Sequence, residues 1–151
     1  MIHAPLALNR KLVDSLYVEA MLLADEARSY FDANGCAERD ALPPMQRVGF
    51  SCESLRVTTR LMHVIAWLLT QRAVFAGEIS AERAGAPERR LGRAQGNDPD
   101  MVSSLPETAR QMIEATSDLY ARVARLDAGM NRRAPTANPA QGLMRRLEMA
   151  F

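Results

Sequence analysis

Hydrophobic and polar positions follow one another along the chain with the period of an α-helix. Apolar side chains recur at i, i+3, i+4 and i+7 over residues 9–31, 51–77 and 104–128. No segment shows the strict two-residue alternation that is typical of a half-buried β-strand. Because each helix has an apolar side to bury, the three are expected to pack on one another. The pattern predicts an all-α fold, an antiparallel three-helix bundle with a long loop between the second and third helices.

Residues that cap or interrupt a helix stand at the predicted ends. Asn34 followed by Gly35 predicts a left-handed stop after the first helix. Pro43 and Pro44 remove two backbone amide donors, so residues 36–49 are predicted to form a non-helical connector. A capping-box pattern opens the third helix.

The second predicted helix is apolar over about two-thirds of its circumference. Its first stripe consists of Leu55, Thr59, Met62, Ala66, Leu69, Ala73 and Ala76. Its second stripe, roughly 110–120° round the helical wheel, consists of Phe50, Val57, Leu61, Val64, Leu68 and Phe75. The other two helices could cover both stripes, or the helix could pack on a second copy of the chain around a two-fold axis. We predict a homodimer whose interface is the second stripe.

Trp67 stands among polar residues on the remaining face of the same helix. Exposed Trp and Arg side chains often anchor protein–protein interfaces, because they combine a large contact area with few rotatable bonds. We therefore predict a partner-binding surface that consists of Arg56, Arg60, His63, Trp67 and Gln71. The alternative is that the loop over residues 80–103, or the C-terminal tail, folds over Trp67 and buries it within the chain.

Two segments outside the predicted helices are rich in turn-forming residues. Residues 80–103 are long for a loop in a small bundle, which predicts a mobile or functional segment. We expect a bundle domain over residues 1–130 and a tail over residues 131–151. The tail ends in a short amphipathic segment that could dock on the bundle or be captured by a partner as a helix. Its apolar positions include Leu143, Met144, Leu147 and Phe151.

The charge of the chain argues against a strongly basic nucleic-acid binder. Nineteen Lys and Arg residues against eighteen Asp and Glu residues leave a net charge of +1, whereas phosphate neutralisation needs concentrated positive charge. Arginines are nevertheless gathered on the second helix and in the tail. A nucleic-acid-associated regulator that uses Arg56, Arg60 and the tail therefore stays open as an alternative.

The sequence offers no converging set of catalytic or metal-ligating residues. Cys52 and His63 are about three turns apart on one helix, so they cannot meet within one chain. Two cysteines cannot supply a four-ligand zinc site, and no Gly-rich phosphate-binding motif is present. We predict no enzyme activity, no metal and no cofactor. Without a secretion signal or an apolar run long enough to span a bilayer, we expect a cytoplasmic protein with no membrane partner.

Several segments resemble a known protein family. In the second helix they are ESLRVTTRLM (53–62), AWLL (66–69), QRAV (71–74) and AGEI (76–79). In the first helix they are LYVEA (16–20) and EARSYFD (26–32), and in the third LYARVARL (119–126). The chain is similar, over about residues 8–80 and 103–128, to the RcdA-like family of alphaproteobacteria.

The resemblance implies a function without catalysis. The founding member of the family is a homodimeric three-helix bundle with a mobile tail that acts as an adaptor in regulated proteolysis. It binds a Clp-type unfoldase–protease primed by a response-regulator-like factor. It delivers cell-cycle regulators there, directly or through a further adaptor, at the cell pole. The resemblance thus implies an adaptor that raises the local concentration of its cargo by tethering; a dimeric helical scaffold unrelated to degradation stays open as an alternative.

Overall fold

Three long helices dominate the computed structural model, which describes residues 3–133 and 139–150. They are α1 (His3–Asp32), α3 (Pro44–Phe75) and α6 (Glu107–Arg133). Shorter elements lie between and after them: α2 (Asn34–Asp40), α4 (Ala81–Ala84), a 3-10 turn (Pro87–Arg89), α5 (Pro99–Ser103) and α7 (Pro139–Ala150). The described residues contain no β-strand, and the prediction of an all-α fold is confirmed.

The core is built from one apolar stripe of each long helix. Buried positions recur every three or four residues from Val13 to Tyr30 in α1, and from Ala109 to Val123 in α6. Where α1 meets the start of α3, the ring of Phe31 lies edge-on to that of Phe50, with the ring centroids 5.6 Å apart. The core therefore runs between all three long helices.

The start of α3 differs from the prediction. Pro44 occupies the first turn of the helix, where a proline is tolerated because the amide it lacks would have had no partner within the helix. The expected non-helical connector over residues 36–49 is therefore wrong, since it contains most of α2 and the first turns of α3.

One glycine ends α3, and another lies in α2 close to the end of α1. Gly77, with a φ of 76°, terminates α3, as in a Schellman motif. The predicted left-handed stop at Gly35 is wrong, because Gly35 lies inside α2 without a positive φ. A Cβ at Gly35 would stand 2.7 Å from the carbonyl oxygen of Tyr30. Glycine is needed there for the close approach of α2 to α1.

The helices α1 and α3 run antiparallel. Arg72, near the end of α3, lies over the ring of Tyr17 in the first half of α1, at 4.4 Å from the ring centroid. Phe31, at the end of α1, contacts Phe50 near the start of α3. Contacts that run in opposite order along two helices define this direction.

The helices α3 and α6 run parallel, which corrects the predicted antiparallel bundle. Arg60 contacts Thr116 and Trp67 contacts Asp127, so residue numbers rise together along the two helices. The physical reason is the long connection over residues 76–106, which returns the chain to the starting end of α3 before α6 begins.

Candidate functional site

An extended segment, which we name the strap (residues 90–98), lies along the groove between α3 and α6. Its contacts follow in order: Arg90 with Asp127, Gly92 with His63 and Tyr120, Asn97 with Arg60 and Ser117, and Asp98 with Glu53. Because the numbers of the strap rise as those of both helices fall, it runs antiparallel to them. The strap is thus packed against both helices along its length.

At one end of the strap, a carboxylate joins α3, α6 and the strap. Trp67 is 2% exposed, and its Nε1–H donates a hydrogen bond to Oδ1 of Asp127 at 2.9 Å. Arg90 donates to both carboxylate oxygens of Asp127 through Nε and Nη2, at 3.0–3.2 Å. A bidentate pair of this kind fixes the orientation of the carboxylate.

The middle of the strap is bound to α6 through the strap's own backbone groups. The hydroxyl of Tyr120 donates to the carbonyl oxygen of Gly92 at 2.6 Å and accepts from the amide of Ala94 at 3.2 Å. A Cβ at Gly92 would stand 2.2 Å from Nδ1 of His63. The strap therefore passes so close to α3 that any larger residue at this position would displace the His63 side chain.

At its other end the strap covers a buried arginine. Arg60 is 3% exposed; its Nε donates to the Thr116 hydroxyl at 3.2 Å and its Nη1 donates to Oδ1 of Asn97 at 2.9 Å. The Nδ2 of Asn97 donates to the Ser117 hydroxyl at 2.9 Å. Nη2 of Arg60 has no hydrogen-bond partner within the described part of the chain. Burial lowers the pKa of Arg60, and the charge of Glu53 partly opposes this effect.

A buried carboxylate lies beside Arg60. Glu53 is 1% exposed and accepts hydrogen bonds through Oε1 from Nη1 of Arg56 and from the backbone amide of Asp98. Its Oε2 has no partner among residues 3–133 and 139–150. Glu53 and Arg60 form no direct ion pair, so each keeps one polar atom unsatisfied.

The predicted partner-binding surface requires correction, because Arg60, Trp67 and Gln71 are buried. Arg56 and His63 are half-buried. Acceptors contributed by α6 and the strap pair with Nε and Nη1 of Arg60 and with Nε1 of Trp67, which allows this polar flank of a helix to lie inside the protein. Trp67 is thus enclosed within the chain instead of presented to a partner.

The predicted dimer interface also requires correction. Five of its six members are at most 6% exposed, namely Phe50, Val57, Leu61, Val64 and Leu68, and Phe75 is half-buried. These residues belong to the core that α3 shares with α1 and α6. A second copy of the chain cannot reach side chains that its own helices already cover.

The opposite side of α3 carries an exposed apolar row, which we name the α3 seam. Its members are Met45, Val48, Cys52, Leu55, Thr59, Met62, Ala66 and Leu69, all of them exposed except the half-buried Thr59, whose hydroxyl donates to the backbone of the same helix. They follow one another at alternating steps of three and four residues, which is the heptad spacing of a coiled-coil seam. The five largest are 47–71% exposed. The seam overlaps the first apolar stripe of this helix, which begins at Leu55. It does not overlap the second stripe, for which the dimer interface was predicted.

Comparison with known proteins gives the family of the chain. The family model described as "Protein of unknown function (DUF1465)" matches residues 5–151. The crystal structure of RcdA from Caulobacter crescentus CB15 is similar, with a TM-score of 0.66 and 34% identity, over 79% of this chain and 90% of that one. The chain belongs to the RcdA-like family. A search of curated proteins finds no match.

The tail of this RcdA-like chain presents apolar side chains on α7. Met144, Leu147 and Met149 are 63%, 50% and 88% exposed. Of the predicted apolar positions, Phe151 lies outside the described residues, and the side chain of Leu143 is not described. The described part of α7 is thus an exposed helix that carries unburied apolar groups.

Over residues 3–133 and 139–150, no helix has the length and apolarity to cross a membrane. In the same residues, no three His, Cys, Asp or Glu side chains are grouped so that they could hold a metal ion.

The buried polar residues beneath the strap, Glu53, Arg60, Thr116 and Asp127, were not predicted as a group from the sequence. Their signal was present in the third helix, where Thr116 and Asp127 are buried on the apolar side. A carboxylate on the buried side of a helix requires a hydrogen-bond donor inside the fold. The available donors in the sequence included the indole N–H of Trp67 and the arginines of residues 80–103.

Proposed function

We propose that this RcdA-like protein is a non-enzymatic adaptor that helps deliver cell-cycle regulators to a Clp-type ATP-dependent protease. The observation that carries the proposal is the 34% identity to RcdA over 79% of the chain. The partners are the unfoldase–protease with its priming factor, and a protein cargo or a further adaptor, in the cytoplasm and at the cell pole. Tethering needs accessible surfaces rather than a catalytic centre, because it acts by raising the local concentration of the cargo.

The alternative of a nucleic-acid-associated regulator has little support in the geometry. Arg60 is buried beneath the strap, and Arg56 is paired with the buried carboxylate of Glu53. Neither guanidinium is presented to a phosphate backbone. Arg56 and Arg60 of α3 therefore do not form an exposed basic surface.

The proposal includes a homodimer that uses the α3 seam. The seam contains no charged residue and spans 25 residues from Met45 to Leu69, which is about 36 Å of helix. A single apolar row of that length on one helix is self-complementary when a two-fold axis brings two copies together. Two copies of the chain would then hold two tails in one particle.

Sedimentation of charge-inserting variants tests this dimer. We expect a dimer at micromolar concentration, and a folded monomer when Leu55→Glu and Met62→Glu are combined. The control is Leu22→Glu, because Leu22 of α1 is 62% exposed, close to the 67% of Leu55, and lies outside the seam. A monomeric wild-type chain, or a control that dissociates as readily as the seam variant, would refute the interface.

Reconstituted degradation tests the adaptor role. The rate of degradation of a cell-cycle regulator by the primed protease is measured with and without the full chain. We expect faster degradation with the chain, and a loss of the acceleration when residues 134–151 are removed. Removal of the tail must leave the far-ultraviolet circular dichroism of the remaining helices in place. Equal degradation rates with and without the full chain would exclude the adaptor role and favour a scaffold unrelated to degradation.

A further inference from the structure

A groove of ≈ 990 Å³ opens between the end of the strap with α5 on one side and α6 on the other. Asn97 and Ser117 both line it. The carboxamide of Asn97 lies between the Ser117 hydroxyl and the guanidinium of Arg60, at 2.9 Å from each. Asn97 therefore separates a buried arginine from an open groove.

The charge of Arg60 is poorly matched by its surroundings. Its hydrogen-bond acceptors are a neutral hydroxyl and a neutral carboxamide, and Nη2 has no acceptor among the described residues. Glu53 acts on Arg60 electrostatically, but its bonded oxygen is engaged by Arg56 and Asp98. A buried guanidinium is stabilised most when a carboxylate accepts hydrogen bonds from it. None of the described carboxylates does so.

We infer that this groove binds an aspartate or glutamate side chain of an extended peptide segment, whose carboxylate replaces the Asn97 carboxamide against Arg60 and Ser117. In that position one carboxylate oxygen accepts from Nη1 of Arg60, as Oδ1 of Asn97 does in the free chain. The other accepts from the Ser117 hydroxyl, whose proton turns to the ligand from the carbonyl oxygen of Ile113, to which it is donated at 2.7 Å in the free chain. The Asn97 side chain thus occupies the place of the ligand, with its Oδ1 in the position of one carboxylate oxygen. That the segment belongs to a protein cargo rests on the proposed adaptor role, but the binding itself does not depend on the protease.

The other charges that line the groove favour a single acidic residue over an acidic run. Arg110, Glu114 and Asp118 line the groove on α6. Asp118 is paired with Arg122, at 3.1 Å between Oδ2 and Nε. Glu114 and Asp118 repel further negative charges on a ligand, whereas Arg60 attracts the one carboxylate that reaches it.

Replacement of Asn97 by aspartate supplies the missing carboxylate from within the chain. If the site is built for an anion, Asn97→Asp raises the midpoint of thermal unfolding by about 2–4 °C. The matched control is Gln95→Glu, which adds the same charge to an exposed position of the same strap and is expected to leave the midpoint within about 1 °C. A midpoint lowered by Asn97→Asp, or raised equally by Gln95→Glu, overturns the inference.

Binding is then measured with small peptides on the full chain. The probe is acetyl-Ala-Asp-Ala-amide, with acetyl-Ala-Asn-Ala-amide as the uncharged control, and the signals of the Asn97 and Ser117 backbone amides are followed by NMR. We expect saturable shifts with the aspartyl peptide only. Asn97→Ala should tighten binding about tenfold, because it removes the competing internal group, and Asn97→Asp should abolish it.

The outcomes separate this inference from the proposed function. Equal shifts with both peptides, or tighter binding of inorganic phosphate than of the aspartyl peptide, overturn the acidic-side-chain site. Ser117→Ala removes one donor from a half-buried position and should weaken the aspartyl peptide several-fold while the fold is kept. Specific peptide binding by a chain that does not accelerate degradation would support the site and count against the adaptor role.

Discussion

Asp127 is the position where one substitution should reveal how much the strap contributes to stability. Its carboxylate accepts from the Trp67 indole of α3 and from the Arg90 guanidinium at the start of the strap. Asp127→Ala removes both acceptors at once, while it shortens a side chain that is itself 12% exposed. The substitution therefore breaks the connection between α3, α6 and the strap, which meet at the carboxylate of Asp127.

The expected loss follows from the burial of the two donors. The Trp67 N–H is left without an acceptor in a residue that is 2% exposed, which costs about 1–3 kcal/mol. The side chain of Arg90 is 32% exposed, so water replaces part of its ion pair and its loss adds about 1 kcal/mol. We expect the free energy of unfolding to fall by about 3 kcal/mol in total. Asp127→Asn keeps an acceptor for Trp67 and should cost about half as much.

Urea unfolding at one fixed protein concentration measures these losses, because association would otherwise shift the apparent stability. Trp67 is the single tryptophan of the chain, so its emission reports on the perturbed site while circular dichroism reports on the helices. The control is Asp118→Ala, because Asp118 is 66% exposed and its pair with Arg122 is solvated. A loss below about 1 kcal/mol for Asp127→Ala, or an equal loss for Asp118→Ala, would refute the reasoning.

Two further predictions concern close packing and a buried phenol. Gly92→Ala should lower the free energy of unfolding by about 1–3 kcal/mol, because the new Cβ would stand 2.2 Å from Nδ1 of His63. Gly96→Ala, which meets no described heavy atom within 4 Å, should raise it by about 0.4–1 kcal/mol in the same chemical denaturation. Burial and the hydrogen bond to Glu38 raise the pKa of Tyr30, so its stabilising contribution is complete below pH ~10 and is lost at higher pH. Ultraviolet titration should show one tyrosine ionising last, and Tyr30→Phe should remove that phase; simultaneous ionisation of all three tyrosines would contradict the assignment.

The helical period was sufficient to predict the long helices because α1 and α6 each bury a single apolar side. It failed on α3, whose two apolar stripes have the same period, so the wheel could not indicate which stripe faces the core. Heptad spacing does not distinguish them either, because Leu61, Leu68 and Phe75 of the buried stripe repeat at the same interval as Leu55, Met62 and Leu69 of the exposed one. Period alone identifies apolar faces, but not which of them the other helices cover.

The strap could not be predicted from periodicity because an extended segment without alternation has no periodic signal. Its position depends on pairs that are far apart in sequence, such as Arg90 with Asp127 and Asn97 with Arg60, each 37 residues apart. Burial of Trp67 by residues 80–103 or the tail was the alternative, and its 2% exposure agrees with burial, but its polar neighbours on the wheel favour a position on the surface. That inference fails wherever another segment brings matching donors and acceptors to a polar flank.

The parallel arrangement of α3 and α6 has a consequence for the kinetics of folding. Phe31 and Phe50 close the α1–α3 hairpin across 19 positions, whereas the contacts of α6 with α3 join residues 56 and 60 positions apart. Closing the longer chain segment carries the larger entropy loss, so the hairpin should assemble first and the third helix should arrive late, together with the returning segment. In a stopped-flow experiment the indole would then report the last step of assembly instead of the initial collapse.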